Sequence, residues 1–156
     1  MSEHRAHIAW RVDDGDFVRG RYSRRHEWSF DGGITVPGSS SPSVVRLPWS
    51  DPAAIDPEEA FVASLASCHM LTFLYLAGKA GFQVLSYEDD AVGVLTKNEH
   101  GVPWVSRVSL QPVHAFGGDR LPTDAELDEL HERSHHECYI SQSVKSEVVT
   151  TWRRPS

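Results

Sequence analysis

The chain has 156 residues, 40% hydrophobic and 24% charged, with a formal net charge of −7 at pH 7. This length predicts a single domain over residues 1–156 that buries about two-thirds of its surface and needs no disulfide or metal to stabilise it. The negative charge argues against a nucleic-acid partner, because phosphate binding needs clustered Lys and Arg. No run approaches the ~20 consecutive apolar residues of a membrane span, and the N-terminus has no apolar signal core. We therefore expect a cytoplasmic protein with no membrane partner.

The pattern of the N-terminal third predicts strands and turns. Residues 7–12 alternate as a half-buried strand before a turn at 13–16. Residues 22–30 form a second strand, and the Asp-Gly-Gly at 31–33 predicts a hairpin. Residues 37–55 are rich in Pro, Gly and Ser, which indicates a long surface loop.

A long helix should follow this loop. Asp56 is a preferred N-cap, Pro57 suits the first helical position, and Glu59 completes a capping-box pattern. Apolar residues then occupy nearly every face up to Leu76, and Gly81 can end the helix in the left-handed conformation. A helix that is apolar all round is buried on several sides, so this is the predicted central helix.

The remaining elements predict an α+β fold. Two strands over 86–97 and 102–116 flank a turn at 98–101. Thr123 caps a second helix from residue 124 to about 136, and 144–152 forms a closing strand.

The chain contains two cysteines, and Cys68 lies about 12 residues into the first helix. The helix dipole fades after the first turn, so a reactive thiolate there needs a cation from another element. An inert core cysteine is the alternative, because buried Cys is common. The candidate cations are the arginines of the early hairpin: Arg19, Arg21, Arg24 and Arg25.

Cys138 closes a segment with three histidines, His131, His135 and His136. His131 and His135 share a helical face, so a structural zinc site is one interpretation. We favour a solvated helix end, where histidine is favourable, and therefore expect no metal or cofactor. His69 follows Cys68 directly and points elsewhere on the helix, so we interpret it as a packing or interface residue.

Residues 57–59 (PEE) and 63–70 (ASLASCHM) together resemble the signature helix of the OsmC/Ohr family of peroxide-reducing proteins. Residues 138–141 (CYIS) resemble that family's second cysteine motif, and the order of elements agrees over nearly the whole chain. The His-Met after Cys68 is closer to the OsmC side, and Tyr139 stands where many members have Pro.

The resemblance implies a thiol-dependent peroxidase that acts on organic hydroperoxides. Cys68 would be oxidised to a sulfenic acid, and Cys138 would resolve it to a disulfide. Glu58 matches the family's glutamate, although acidic residues are favoured in any first helical turn. The family's arginine maps best on Arg24, with Arg19 as the alternative. An external dithiol, for which a lipoylated protein is the family expectation, would reduce the disulfide.

In this scheme Arg24 lowers the pKa of Cys68, and Glu58 orients the arginine through a bidentate pair. Apolar residues near Cys68, such as Phe61, Leu65 and Phe73, would favour alkyl hydroperoxides. The alternatives are a redox sensor that oxidises once without turnover and a small-molecule-binding protein of the same fold.

Helix geometry adds a prediction about assembly. Glu58 and Cys68 are ten residues apart, about 15 Å along a straight helix, so they cannot meet within one unbroken helix. Antiparallel packing of two such helices would bring Glu58 to the partner's Cys68. The family resemblance also implies an intertwined homodimer, with antiparallel sheets around a buried helix and two sites at the interface.

Overall fold

The computed structural model describes residues 2–12 and 15–155. Contacts divide the chain into two compact units, Met1–Ala60 and Phe61–Ser156. The single domain predicted over residues 1–156 stays a prediction. Residues 13 and 14 of the predicted first turn lie outside the described residues.

The first unit contains two small antiparallel sheets. Its strands are β1 Ala6–Ala9, β2 Gly15–Asp16, β3 Arg21–Tyr22, β4 His26–Phe30 and β5 Thr35–Gly38. One sheet has the strand order β1-β4-β5, and β2 pairs with β3 in the other. The predicted hairpin at 31–33 is confirmed by the β4–β5 pairing, with Gly33 at φ +83°, which glycine adopts without steric cost. The strand predicted over 22–30 is instead two strands.

Two hydrogen bonds outside the sheets mark the break between these two strands. The N–H of Arg24 donates to the carbonyl of Trp49, and the N–H of Arg25 donates to Ser23 Oγ. These bonds take the backbone out of the sheet ladder. The loop predicted over 37–55 begins at residue 39 instead of 37, because β5 runs to Gly38.

Helix α1 spans Pro57–Lys79 without a break. The predicted capping box is confirmed: the Glu59 N–H donates to Asp56 Oδ1 at 2.7 Å, and the Asp56 N–H donates to Glu59 Oε2 at 3.0 Å. Gly81 adopts φ +82° just past the helix, as predicted. By length and composition α1 could cross a membrane, contrary to the sequence expectation. Core helices of soluble proteins meet the same criterion.

One stripe of α1 is buried in the second unit, at the helical spacing of Leu65, His69, Phe73 and Leu76. It packs into two apolar clusters. The opposite face is exposed in the single chain, with Leu71 at 60% and Tyr75 at 58% of their full exposure. We expected a helix buried on several sides, but in a single chain only one stripe of α1 is buried.

Four strands replace the two predicted after α1. They are β6 Gln83–Asp89, β7 Val92–Lys97, β8 Pro103–Leu110 and β9 Pro112–Gly117. Strand β6 pairs with β9 and β7 with β8, so the long hairpin belongs to two sheets. The division falls where Asp89 Oδ1 accepts the Gln111 N–H at 2.7 Å, and Pro112 has no N–H for the ladder.

The last elements are α2 Asp124–Glu137, a 3₁₀ turn Ser141–Ser143 and β10 Glu147–Thr150. The predicted cap of α2 is confirmed, with a complete capping box between Thr123 and Glu126. The predicted antiparallel sheets are confirmed by the other strand pairings, and β10 is an addition that pairs with β8 in parallel. The α+β fold class is confirmed.

Candidate active site

The two cysteines form a thiol pair in the second unit. Both are free thiols, and they are close enough for Cys138 to raise the pKa of the Cys68 thiol. Cys68 is half-buried on α1, whereas Cys138 is fully buried at the residue that caps α2. The fold thus joins two thiols that the sequence separates by 70 residues.

The pKa of the Cys68 thiol is raised. The largest cause is burial, and the neighbouring Cys138 thiol adds to it. The backbone N–H groups of Ile140 and Tyr139 act in the opposite direction and lower the pKa, but they do not outweigh burial. The sequence analysis expected Arg24 to lower this pKa; in the single chain burial dominates, and the effect of Arg24 stays a prediction.

Arg24 lies in the first unit, where it lines a cavity of about 450 Å³ together with Glu58. The Arg24 guanidinium donates to the carbonyls of Gly20 at 2.9 Å and Tyr22 at 2.6 Å, and it lies 3.8 Å above the Tyr22 ring. These contacts hold a positive charge beside the cavity in a fixed orientation. The expected bidentate pair with Glu58 is not among the ion pairs of the described residues.

The other hairpin arginines are placed differently. Arg19 is 75% exposed and pairs with Asp16, and Arg25 pairs with Asp51. Arg21 is exposed. Arg24 is therefore the hairpin arginine that is half-buried and shares a cavity with Glu58. This supports Arg24 over Arg19 as the family's arginine.

Three aromatic rings line the same cavity, and the sequence analysis did not identify them. Phe17 and Tyr22 stack at 4.6 Å, and Trp10 lies 5.3 Å from Tyr22 and 5.7 Å from Phe17. The residues predicted to line the pocket include Leu65 and Phe73, which are instead fully buried in the core. The clustering of aromatics before Arg24 was the available signal.

A chain of three buried histidines lies in the second unit. His131 Nδ1 is 3.0 Å from His69 Nε2, and His131 Nε2 is 3.0 Å from His114 Nε2. None of the three rings is more than 4% exposed. Burial lowers the pKa of His69 to about 4 and that of His131 to about 3, and it also lowers the pKa of His114. The rings are therefore neutral at pH 7.

The packing role predicted for His69 is confirmed, but the solvated position predicted for His131 is wrong. The helical spacing of Leu127, His131 and Ser134 places all three on the buried face of α2. Both nitrogens of His131 are occupied by the two neighbouring rings. Within residues 2–12 and 15–155, no group of three His, Cys, Asp or Glu side chains is arranged to hold a metal ion.

Comparison with known proteins supports the resemblance found in the sequence. A family model described as OsmC-like protein matches residues 50–153. A solved OsmC-like protein of unknown function from Vibrio cholerae is 47% identical, with a TM-score of 0.94. That match covers 98% of this chain and 100% of the Vibrio chain. No curated protein matches the sequence.

More distant structures share the fold. An organic hydroperoxide resistance protein from Elizabethkingia anophelis is 15% identical with a TM-score of 0.72, and the match covers 100% of this chain and 97% of that one. The corresponding protein of Bacillus subtilis is 17% identical with a TM-score of 0.63, covering 97% and 98%. At these identities the likeness concerns the fold alone.

Proposed function

Because the chain belongs to the OsmC-like family, we propose that it is a thiol-dependent peroxidase that reduces organic hydroperoxides to alcohols. The observation that carries the proposal is the pair of neighbouring free thiols, Cys68 and Cys138. A half-buried thiol beside a fully buried one suits a nucleophile and its resolving partner. Two hydroperoxide resistance proteins share the fold, so the fold is compatible with this chemistry.

The reaction has three steps. The Cys68 thiolate attacks the terminal peroxide oxygen, the O–O bond breaks, and the alkoxide takes a proton and leaves as the alcohol. The Cys138 sulfur then attacks the Cys68 sulfenic acid, and water leaves as the disulfide forms. An external dithiol, such as a lipoylated protein, supplies the two electrons that restore both thiols. We place this cycle in the cytoplasm, where a thiol pair is kept reduced.

Ionisation of Cys68 requires a positive charge, because burial raises the pKa of this thiol in the single chain. We assign this role to Arg24 of the partner subunit in a homodimer. Glu58 and Cys68 lie ten residues apart on one unbroken helix, about 15 Å, so one chain cannot bring both to a single site. The exposed apolar residues Leu71 and Tyr75 on α1 are a surface that a second copy would cover.

The cavity of the first unit indicates the substrate class. Arg24 and Glu58 provide its charged groups, and Trp10, Phe17 and Tyr22 provide apolar ring surface. A hydroperoxide with an aromatic or bulky alkyl group can place its oxygens at the arginine and its apolar part against the rings. Hydrogen peroxide has no apolar group, so contact with the rings would not strengthen its binding.

Turnover of cumene hydroperoxide with dihydrolipoamide tests the activity. Cys68→Ser should abolish turnover, whereas Cys138→Ser should consume one equivalent of peroxide and stop at a Cys68 sulfenic acid detectable by mass spectrometry. An active Cys68→Ser protein would refute the mechanism. Oxidation of the wild type to a disulfide that dihydrolipoamide and thioredoxin both fail to reduce would instead favour the redox sensor.

Substituting one of the rings tests the substrate class. Phe17→Ala should raise KM for cumene hydroperoxide about tenfold, because a large apolar contact is lost. The KM for hydrogen peroxide should stay the same. Equal effects on the two KM values would show that the apolar group of the hydroperoxide does not bind against these rings.

Complementation between inactive chains tests the shared site. When Cys68→Ser and Arg24→Met proteins are mixed, unfolded and refolded together, half of the dimers are mixed and each mixed dimer has one complete site. We expect about one quarter of wild-type activity. Arg24→Met mixed with Glu58→Gln is the matched control, since both changes damage the same half of the site. No recovery in the first mixture would show that each chain supplies its own arginine.

A further inference from the structure

His26, the first residue of β4, lies between two hydrogen-bond partners in the first unit. Its Nδ1 atom is 2.8 Å from the carbonyl oxygen of Arg24, and its Nε2 atom is 2.5 Å from the indole Nε1 of Trp28. His26 and Trp28 are both half-buried, and they lie on the same face of the strand because they are two residues apart. The imidazole therefore connects an indole to the main chain of the arginine.

These two partners select one protonation state of the His26 ring. The indole N–H of Trp28 can only donate, so Nε2 of His26 accepts. The carbonyl of Arg24 can only accept, so Nδ1 of His26 carries the hydrogen and donates. The other neutral tautomer, or a cationic ring, would place an N–H against the indole N–H. The neutral ring with its hydrogen on Nδ1 satisfies both contacts.

Strand β5 holds the imidazole and the indole in this arrangement. Gly38 lies opposite His26 in the β4–β5 register. A Cβ on Gly38 would lie 2.6 Å from His26 Nε2 and 2.6 Å from Trp28 Nε1. The hydrogen bond between the two rings thus occupies the space that a side chain at Gly38 would need, and the sheet supports it from below.

The main chain of Arg24 is held on both sides. Its N–H donates to the Trp49 carbonyl at 2.9 Å, and its carbonyl accepts from His26. The guanidinium then bonds through Nη1 to the carbonyls of Gly20 and Tyr22. A side chain extends from a position that its backbone sets, so the orientation of this guanidinium depends on the two main-chain hydrogen bonds.

We propose that His26 is a positioning residue, whose Nδ1–H holds the main chain of Arg24 and so keeps the guanidinium at the cavity that it shares with Glu58. The catalytic meaning of this role rests on the proposed function, in which Arg24 acts on Cys68 of the partner subunit. The positioning does not rest on it, because the tautomer of His26 and the mobility of Arg24 are measurable without turnover.

Two substitutions separate the two hydrogen bonds of the His26 ring. The side-chain nitrogen of His26→Asn stands as many bonds from Cβ as Nδ1 does, so it keeps a donor for the Arg24 carbonyl. The side-chain oxygen of His26→Gln corresponds to Nε2, so it keeps an acceptor for Trp28 and leaves that carbonyl without its donor. Both variants lose the ring, and they share any loss of packing. His7→Gln, at an exposed residue of β1 in the same sheet, is the control for the exchange itself.

NMR tests the positioning directly. At pH 7 the imidazole ¹⁵N signals of the wild type should show a neutral His26 with its hydrogen on Nδ1, and either the other tautomer or a cationic ring would overturn the proposal. The ¹⁵N heteronuclear NOE of the Arg24 Nε–H reports the mobility of the guanidinium. It should fall in His26→Gln and keep its wild-type value in His26→Asn and His7→Gln. An unchanged value in His26→Gln would also overturn the proposal.

Peroxidase turnover tests the consequence. His26→Gln should lower kcat/KM about tenfold for both cumene hydroperoxide and hydrogen peroxide, because a displaced arginine affects the reacting oxygens of either substrate. His26→Asn should restore at least half of the wild-type value, and equal losses in the Asn and Gln variants would assign the effect to the missing ring and refute the positioning role.

If His26→Gln does not fold, Trp28→Phe provides the same test. This change removes the indole donor, so the His26 ring should populate its second tautomer and the NOE of the Arg24 Nε–H should fall. A ring that keeps its hydrogen entirely on Nδ1 without the indole would contradict the proposed arrangement. A wild type without peroxidase activity would contradict the proposed function, while the two NMR measurements would still decide the role of His26.

Discussion

The buried histidine chain should make the protein unstable in acid. His131 hydrogen-bonds to His69 on one side and His114 on the other, and none of the three rings is more than 4% exposed. Each hydrogen bond needs a donor and an acceptor, so a neutral His131 satisfies both by donating through one nitrogen and accepting through the other. A protonated His131 can only donate, and it would place a charge in the core between two other imidazoles.

The magnitude follows from the pKa values. An ordinary histidine has a pKa of 6.5, and burial lowers that of His69 to about 4 and that of His131 to about 3. Between pH 6.5 and those values the unfolded chain binds more protons than the folded one, so the free energy of unfolding falls as the pH falls. From pH 8 to pH 5 the loss is about 2 kcal/mol for each ring, or about 4 kcal/mol for the pair.

The assay is urea unfolding at pH 8 and pH 5, followed by tryptophan fluorescence. His131→Gln removes one titrating ring, so its difference in stability between the two pH values should be smaller than that of the wild type by about 2 kcal/mol. His100→Gln, at an exposed residue in a turn, should leave the wild-type difference unchanged. If His131→Gln is too unstable to measure, His69→Gln at one end of the chain should give the same result. A wild-type protein that loses no more stability between pH 8 and pH 5 than His131→Gln and His69→Gln would refute the reasoning.

Three further predictions concern stability and are checked by urea unfolding at pH 8. Thr123→Ala should cost about 1 kcal/mol because it removes the capping box of α2, while Thr123→Ser should cost less. Gly38→Ala should cost about 1–3 kcal/mol, because a Cβ would lie 2.6 Å from Trp28 Nε1, whereas Gly32→Ala has open space and should be neutral. Phe73→Ala should cost about 3–5 kcal/mol, since this ring is fully buried, and a loss below 1 kcal/mol would contradict its place in the core.

Local features of the fold could be predicted from the sequence. The caps at Asp56 and Thr123, the glycine at 81 and the hairpin at 31–33 were all placed correctly. Each depends on hydrogen bonds or dihedral angles within three or four residues, so the residues that decide it are adjacent in the chain. The family resemblance rests on the same kind of local motif, and the roles that it predicts for the two cysteines stay predictions.

The surroundings of the site could not be read from local sequence. The buried position of the His131 side chain was not predicted, because its partners His69 and His114 lie 62 and 17 residues away in the sequence. The raised pKa of Cys68 was missed for the same reason, since burial by distant segments determines it. Composition and capping residues thus determined which elements form in this chain. Only the tertiary structure decided which side chains lose contact with water, and that loss sets the charge state of the thiol and of the histidines.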